Sequence, residues 1–177
     1  IVNKGGINHP NANVQFQLGD VVTTNIECAN GETILLQHDT NLPRPYSLGF
    51  RVQGTQGIWM DVNKGIYIEG KSEKLHQWDD AKKWIEKYDH PLWKKYEKDA
   101  TGAGHGGMDF FVIHSFVESA KRGLPTALDV YDAATWSAIT PLSEKSIELG
   151  NETVDFPDFT SGNWMYRKSS FALNDDF

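Results

Sequence analysis

The sequence predicts an α+β fold: mostly antiparallel β-sheet first, then helices packed on one face of it. Three observations predict this. Residues 20–70 hold β-branched or alternating segments separated by short turns, residues 72–150 switch to helical spacing with capping signals, and no strand–helix alternation or GxGxxG run after a strand occurs. Strands followed by helices give layered α+β architecture, whereas alternation gives a parallel sheet. The 177 residues suffice for one domain. We read them as a single domain with a polar lead-in over 1–19 and a tail over 151–177.

The lead-in is rich in Asn and Gly and reads as a loop or frayed end. Asp20 to Cys28 is strand-like, Asn30-Gly31 supplies a tight turn, and Glu32 to Asp39 returns. A two-residue turn sets Ile26 opposite Leu35 and sends Ile34 and Leu36 to the other side. Apolar residues then line both faces, and both need cover, one by helices and one by another domain or a second copy of the chain. Thr40 to Ser47 is a loop stiffened by Pro43 and Pro45. Leu48–Gln53 and Gly57–Val62 form a second hairpin, and Gly65–Glu69 a fifth strand, giving an antiparallel meander. Ser72 caps a helix over Glu73 to Lys87, with Leu75, Trp78, Ala81 and Ile85 on one stripe. Pro91 opens another helix through Trp93 to Tyr96. A helix over Met108 to Arg122, with Met108, Phe111, Val112, Ser115, Phe116 and Ser119 facing inward, ends at Gly123. Thr126 to Asp129 matches a capping box for a last helix toward Leu149, kinked or split by Pro141 and ended by Gly150-Asn151. Val154 to Phe159 adds one short strand, and the polar end of the chain is poorly ordered.

The formal net charge is -7, with no basic cluster, which removes the electrostatic reason to approach nucleic acid or an anionic membrane. No apolar run approaches the ~18 residues of a membrane span. The single cysteine, Cys28, excludes an internal disulfide and reads as a buried, inert thiol. Ile1 in place of Met suggests a piece of a longer protein.

Two segments could carry chemistry. In Gly104-His105-Gly106-Gly107-Met108-Asp109, His105 and Asp109 lie four apart at a helix start and share a face. One reading sets His105 beside a substrate hydroxyl or cofactor, oriented by Asp109. The alternative is a plain helix entry, with His105 bonding backbone and Asp109 favouring the positive helix end. The second segment is His38-Asp39 and the stiffened loop beyond it, which presents Arg44 and Tyr46 to a ligand or else is a rigid surface turn. His114 lies in an apolar helix and reads as a core histidine. No metal site is expected, because His105, Asp109 and His114 lack His-x-x-x-His spacing and one cysteine cannot build a structural zinc site. There is no GxSxG elbow, and no acid pair singles itself out as a two-carboxylate glycosidase would require.

Longer strings say more. Gly19-Asp20-Val21-Val22-Thr23-Thr24, Cys28-Ala29-Asn30-Gly31-Glu32-Thr33, Arg44-Pro45-Tyr46-Ser47, Arg51 to Met60, Gly104 to Asp109, Asp129 to Ser137 and Phe156-Pro157-Asp158-Phe159-Thr160 occur in that order. Together they resemble the C-terminal part of the NAD-dependent α-N-acetylgalactosaminidases, glycoside hydrolase family 109, within the glucose–fructose oxidoreductase-like superfamily.

The resemblance implies the C-terminal domain of such an enzyme, with an NAD-binding Rossmann domain that precedes it and is absent from this chain. In that family NAD takes a hydride from C3 of the sugar, the ketone acidifies the C2 proton, the aglycone is eliminated, water adds, and the hydride returns. Tyr46 matches a substrate-contacting tyrosine, and His105 and Asp109 match a family signature placed near the sugar. The family's other catalytic groups and all NAD contacts fall outside this chain. The implied partners are N-acetylgalactosamine or a related hexose, the Rossmann domain, and further copies of the chain through the sheet face. Two other functions stay open: an NAD(P)-dependent sugar oxidoreductase with net oxidation, and a non-catalytic oligomerisation or carbohydrate-binding module.

Overall fold

The computed structural model describes residues 2–15, 19–39 and 42–168. The chain divides into two compact units, Ile1–Tyr46 and Ser47–Phe177. Each described unit contains one antiparallel sheet.

The first unit opens with a one-turn helix, α1 (Val2–Gly5), in the stretch expected to be loop. Strands β1 (Val21–Glu27) and β2 (Thr33–Asp39) then form a hairpin. Its register differs by one residue from the sequence expectation, because Ile26 pairs with Ile34, not Leu35. The turn explains this. Gly31 N–H donates to the Cys28 carbonyl at 3.0 Å, and Cys28 N–H donates to the Glu32 carbonyl at 2.8 Å, so the loop has three residues, closed by Gly31 at φ +93°. That is a type I turn followed by a left-handed residue, a common three-residue connection. A one-residue slip exchanges the faces of one strand. Val22, Ile26, Ile34 and Leu36 therefore share one face, and the other carries mainly Thr23, Asn25, Gln37 and Thr33, with Val21 and Leu35. The hairpin has one apolar face, and the case for cover on both sides lapses. Cys28 is half-buried at the hairpin end rather than fully buried.

In the second unit β3 (Arg51–Gln53), β4 (Gly57–Met60), β5 (Gly65–Ile68) and β6 (Asp79–Asp80) lie side by side in chain order, all antiparallel. Gly57 is required where it stands, since a Cβ there would sit 2.7 Å from the Tyr67 carbonyl. β6 occupies residues expected to be helical. Ser72 does not cap a helix. Its hydroxyl accepts from Ile68 N–H at 2.8 Å, and His76 at φ +59° breaks any helix through 73–80. The cap is Asp80, whose carboxylate accepts from Lys82 N–H at 2.9 Å, so α2 runs only over Ala81–Tyr88. Of the expected stripe, Ala81 is buried while Leu75 and Ile85 are exposed.

Helix α3 (Pro91–Ala100) starts as expected at Pro91 and runs beyond Tyr96, with His90 Nδ1 accepting from Leu92 N–H at 3.1 Å. Helix α4 (Met108–Arg122) has the expected bounds and ends at Gly123, φ +64°. α3 and α4 pack through rings: Trp93 stacks on Phe111 at 5.0 Å, and Tyr96 and Phe110 flank His114 at 5.1 Å each. His114 is thus half-buried among aromatics. The inward stripe of α4 is narrower than expected. Ser115 and Ser119 are buried, but Met108, Val112 and Phe116 are exposed.

Helix α5 (Val130–Glu148) begins at Asp129, not Thr126. Asp129 accepts from Tyr131 and Asp132 N–H, and Asp132 accepts in return from Asp129 N–H at 3.0 Å, a reciprocal box that satisfies otherwise unpaired donors. Pro141 lies inside one continuous helix that it does not split. Residues 152–158 form neither helix nor strand, so the expected strand there does not form. Beyond them Arg167 grips Asp132 with two hydrogen bonds of 2.7 and 2.6 Å. Its guanidinium holds the Asp132 carboxyl below the ordinary aspartate range, and the backbone N–H of Asp129 adds to the effect. The expectation for the chain's end beyond residue 168 lies outside the described residues.

Candidate functional site

The two sequence-predicted segments fall in different units. In the first, Asp39 closes β2 and organises the loop beyond it. Its carboxylate pairs with Arg44 Nε at 3.2 Å and accepts from Leu42 N–H at 3.2 Å. Arg44 also donates to the Asp39 carbonyl at 3.4 Å. An exposed pair of this kind contributes about 0–1 kcal/mol, so its effect is to shape the loop rather than to hold the fold. Pro43 and Pro45 flank Arg44 and fix φ on either side of it. The loop delivers Tyr46 at 90% exposure, its ring and hydroxyl open to a ligand. A phenol in that position offers one donor and one apolar face, the combination that suits a sugar. His38 sits in β2 opposite Val22 and is exposed. Thr40 and Asn41 lie outside the described residues.

In the second unit the glycine-rich segment joins α3 to α4. His105, Gly106 and Gly107 are successive left-handed residues at φ +52°, +70° and +102°. For His105 that conformation costs about 1–2 kcal/mol relative to right-handed helix. The loop is anchored from below. Gly107 is buried, and a Cβ there would lie 3.1 Å from the Ala100 carbonyl and 3.2 Å from the Trp93 ring. Gly107 N–H donates to the Gly104 carbonyl at 3.1 Å. The left-handed turn swings the His105 ring over the first turn of α4, where Nδ1 meets Asp109 Oδ1 at 2.8 Å. Gly104 makes room for this, since a Cβ on it would overlap the Asp109 carboxylate. The His105 side chain is 81% exposed and that of Asp109 47%.

Of the two readings of His105, the contact with Asp109 is present, since the imidazole bonds that carboxylate rather than backbone. A carboxylate only accepts, so Nδ1 carries the proton and Nε2 carries the lone pair when the ring is neutral. Gly104 could not be assigned a role from sequence, because what it contributes is empty space.

A shallow cleft of about 330 Å³ between β5 and α2 was not foreseen. Ile66, Ile68, Trp84, Ile85, Tyr88 and His90 contribute to its lining, and none of the predicted site residues does. Among the described residues no three His, Cys, Asp or Glu side chains are placed to share a metal ion, and no helix is long and apolar enough to cross a membrane.

Known proteins supply the context for these segments. Residues 1–166 match the model of the glycosyl hydrolase 109 C-terminal domain. A glycosyl hydrolase family 109 protein of Stenotrophomonas maltophilia is 60% identical over 98% of this chain and 38% of its own length. An α-N-acetylgalactosaminidase of Tannerella forsythia is 55% identical over 98% of the chain and 37% of its own length. One of Shewanella oneidensis is 42% identical over 90% and 36%. The chain thus spans less than two fifths of the curated relatives it matches.

Proposed function

The chain belongs to the glycosyl hydrolase 109 family as its C-terminal domain, and on that premise we propose that it is the sugar-facing part of an NAD-dependent α-N-acetylgalactosaminidase. The observation that carries the reading is the pairing of a family relationship at 55% identity to a named α-N-acetylgalactosaminidase with polar aromatic groups displayed on stiffened loops. Tyr46 and the His105–Asp109 pair are each held by local structure, and each presents hydrogen-bonding atoms outward. Sugar recognition needs donors and acceptors beside an apolar ring face, and the Tyr46 loop offers both by itself.

The reading includes a nicotinamide cofactor, and the described residues of this chain do not fit one. Both sheets are antiparallel, and the glycine-rich loop follows a helix, so no strand–turn–helix cradle for a pyrophosphate forms. On this reading NAD is held by a Rossmann domain outside this chain. This chain's part is to bind and orient the sugar, Arg44 by shaping the loop that carries Tyr46. The 177 residues alone then bind NAD weakly and turn nothing over. The half-exposed Ile34 and Leu36 on the apolar hairpin face are where a second copy docks.

The test uses the full-length protein with an aryl α-N-acetylgalactosaminide in deuterated water. Free N-acetylgalactosamine carrying deuterium at C2, with no accumulation of reduced nicotinamide, is the expected result. Reduced nicotinamide formed in step with substrate loss indicates a net oxidoreductase instead. No reaction of the sugar at all leaves a binding or assembly module.

A further inference from the structure

We propose that the cleft between β5 and α2 is a second carbohydrate site, one that takes a single sugar ring bearing a negative charge. The inference rests on the glycosidase reading only for the class of ligand. The cleft lies apart from the segments that reading uses, since none of their residues lines it. Its volume of about 330 Å³ stands at the lower end of ligand pockets, which matches one ring rather than a chain of them. The floor is apolar, from half-buried Ile66 and Ile68 of β5. The wall is aromatic. Trp84 and Tyr88 are four apart on α2 and share a face, and their rings stack at 5.8 Å with 21° between the planes. The Trp84 ring is tied in place, because its Nε1 donates to Asp79 Oδ2 of β6 at 3.1 Å. A fixed pair of rings beside aliphatic side chains suits the C–H face of a sugar.

The polar groups around it are few and mostly cationic. Lys71 lines the cleft, and Lys87 stands beside Tyr88 with Nζ 5.0 Å from the ring centroid. Neither makes an ion pair among the described residues. Lys94 Nζ donates to the Lys87 carbonyl at 3.1 Å and brings a third ammonium group to the same turn of α2. His90 Nδ1 accepts from Leu92 N–H at 3.1 Å, so its ring proton sits on Nε2, a further donor. Asp89 is the one acid in the lining, and its Oδ1 already accepts from His90 N–H at 2.8 Å. Three lysines against one lining carboxylate make this corner basic, in a chain whose formal net charge is -7. A neutral sugar would use the rings alone. A carboxylate or sulfate on the sugar meets the ammonium groups as well, in charge-assisted hydrogen bonds.

The experiment uses full-length protein with ¹³C-labelled isoleucine methyl groups. Methyl glucuronide is the carboxylate probe, galactose 6-sulfate the sulfate probe, and methyl glucoside the neutral control. The anionic probes shift the Ile66 and Ile68 methyl signals at about tenfold lower concentration than methyl glucoside, and the tighter of the two identifies the anion. Lys71→Gln weakens the anionic probes about tenfold, the weight of one hydrogen bond to a charged group, and leaves methyl glucoside unchanged. Tyr88→Ala, at a half-exposed ring, weakens all three probes about fivefold. Both variants keep aryl-glycoside turnover within about twofold of wild type, since neither residue belongs to the segments that carry Tyr46 and His105. Ile66 and Ile68 signals that no probe moves overturn the site, and so does a cleft already filled by another part of the full-length protein. Equal response to charged and neutral probes, or an anionic probe that binds Lys71→Gln as well as wild type, overturns the choice of an anionic ligand. Should the wild type release no sugar from the aryl glycoside, the glycosidase reading falls, and the methyl shifts still decide the cleft.

Discussion

Alanine at Gly104 separates the chemistry of the His105–Asp109 pair from the stability of the loop that carries it. Gly104 has φ -58° and ψ 160°, a conformation open to any residue, so the backbone tolerates the change. In such a position Gly→Ala stabilises by about 0.4–1 kcal/mol through the unfolded chain. The new Cβ overlaps the Asp109 carboxylate, which must turn away and release Nδ1 of His105. Losing an exposed pair costs about 0–1 kcal/mol. The two effects nearly cancel, and the melting temperature moves by no more than about 4 °C. Turnover does not survive so well, because an imidazole without its orienting carboxylate loses tautomer and direction together. A loss of about 10- to 100-fold in kcat is expected, within the range of general acid–base catalysis. Gly102→Ala is the control. Gly102 sits at φ +86°, and a Cβ there would meet nothing within 4 Å, so alanine costs about 1–2 kcal/mol in backbone strain without touching Asp109. Thermal unfolding and aryl-glycoside turnover of the full-length variants read both quantities. The reasoning is refuted if Gly104→Ala keeps kcat within twofold, or if activity in the two variants follows melting temperature.

Tyr46→Phe removes one exposed hydroxyl, so it leaves the melting temperature unchanged and lowers kcat/KM about fivefold, the weight of one hydrogen bond, by steady-state kinetics. Arg167 lowers the Asp132 pKa, so the clasp adds stability above the ordinary aspartate value of 3.8 and loses it as pH falls through the lower folded value. Hydrogen exchange of residues 158–168 therefore quickens below about pH 4, and Arg167→Gln produces the same quickening at neutral pH. Leu36→Glu sets a charge on the apolar hairpin face, and sedimentation of the full-length protein should show a smaller particle than wild type if that face joins two copies.

Local chemistry was readable from the sequence, and its tertiary consequences less so. Helix α4 was bounded correctly because its stop is written in neighbouring residues, Lys121, Arg122 and Gly123. Helical spacing pointed to the His105–Asp109 pair, but the contact is made by a left-handed turn outside the helix. The hairpin register missed by one, since Asn30-Gly31 serves a two-residue and a three-residue loop equally well and only the Cys28–Glu32 bond decides between them. Ser72 looked like a cap, but its hydroxyl was taken by Ile68 N–H at the end of β5, a partner that spacing does not reveal. The apolar residues of α4 were assigned to one stripe, yet Val112 and Phe116 are exposed in this chain while two serines are buried. Composition cannot say which side of a helix meets its neighbour most closely. Tyr46 was picked out by its place on a proline-stiffened loop and by likeness to a family, and its 90% exposure became visible only in three dimensions.

The most direct test is the distance from His105 Nε2 to the nearest sugar oxygen in a structure of the full-length protein bound to N-acetylgalactosamine. A separation of about 2.7–3.2 Å, with Asp109 still on Nδ1, is the value the account predicts. A sugar bound elsewhere, with Nε2 facing bulk water, would contradict it.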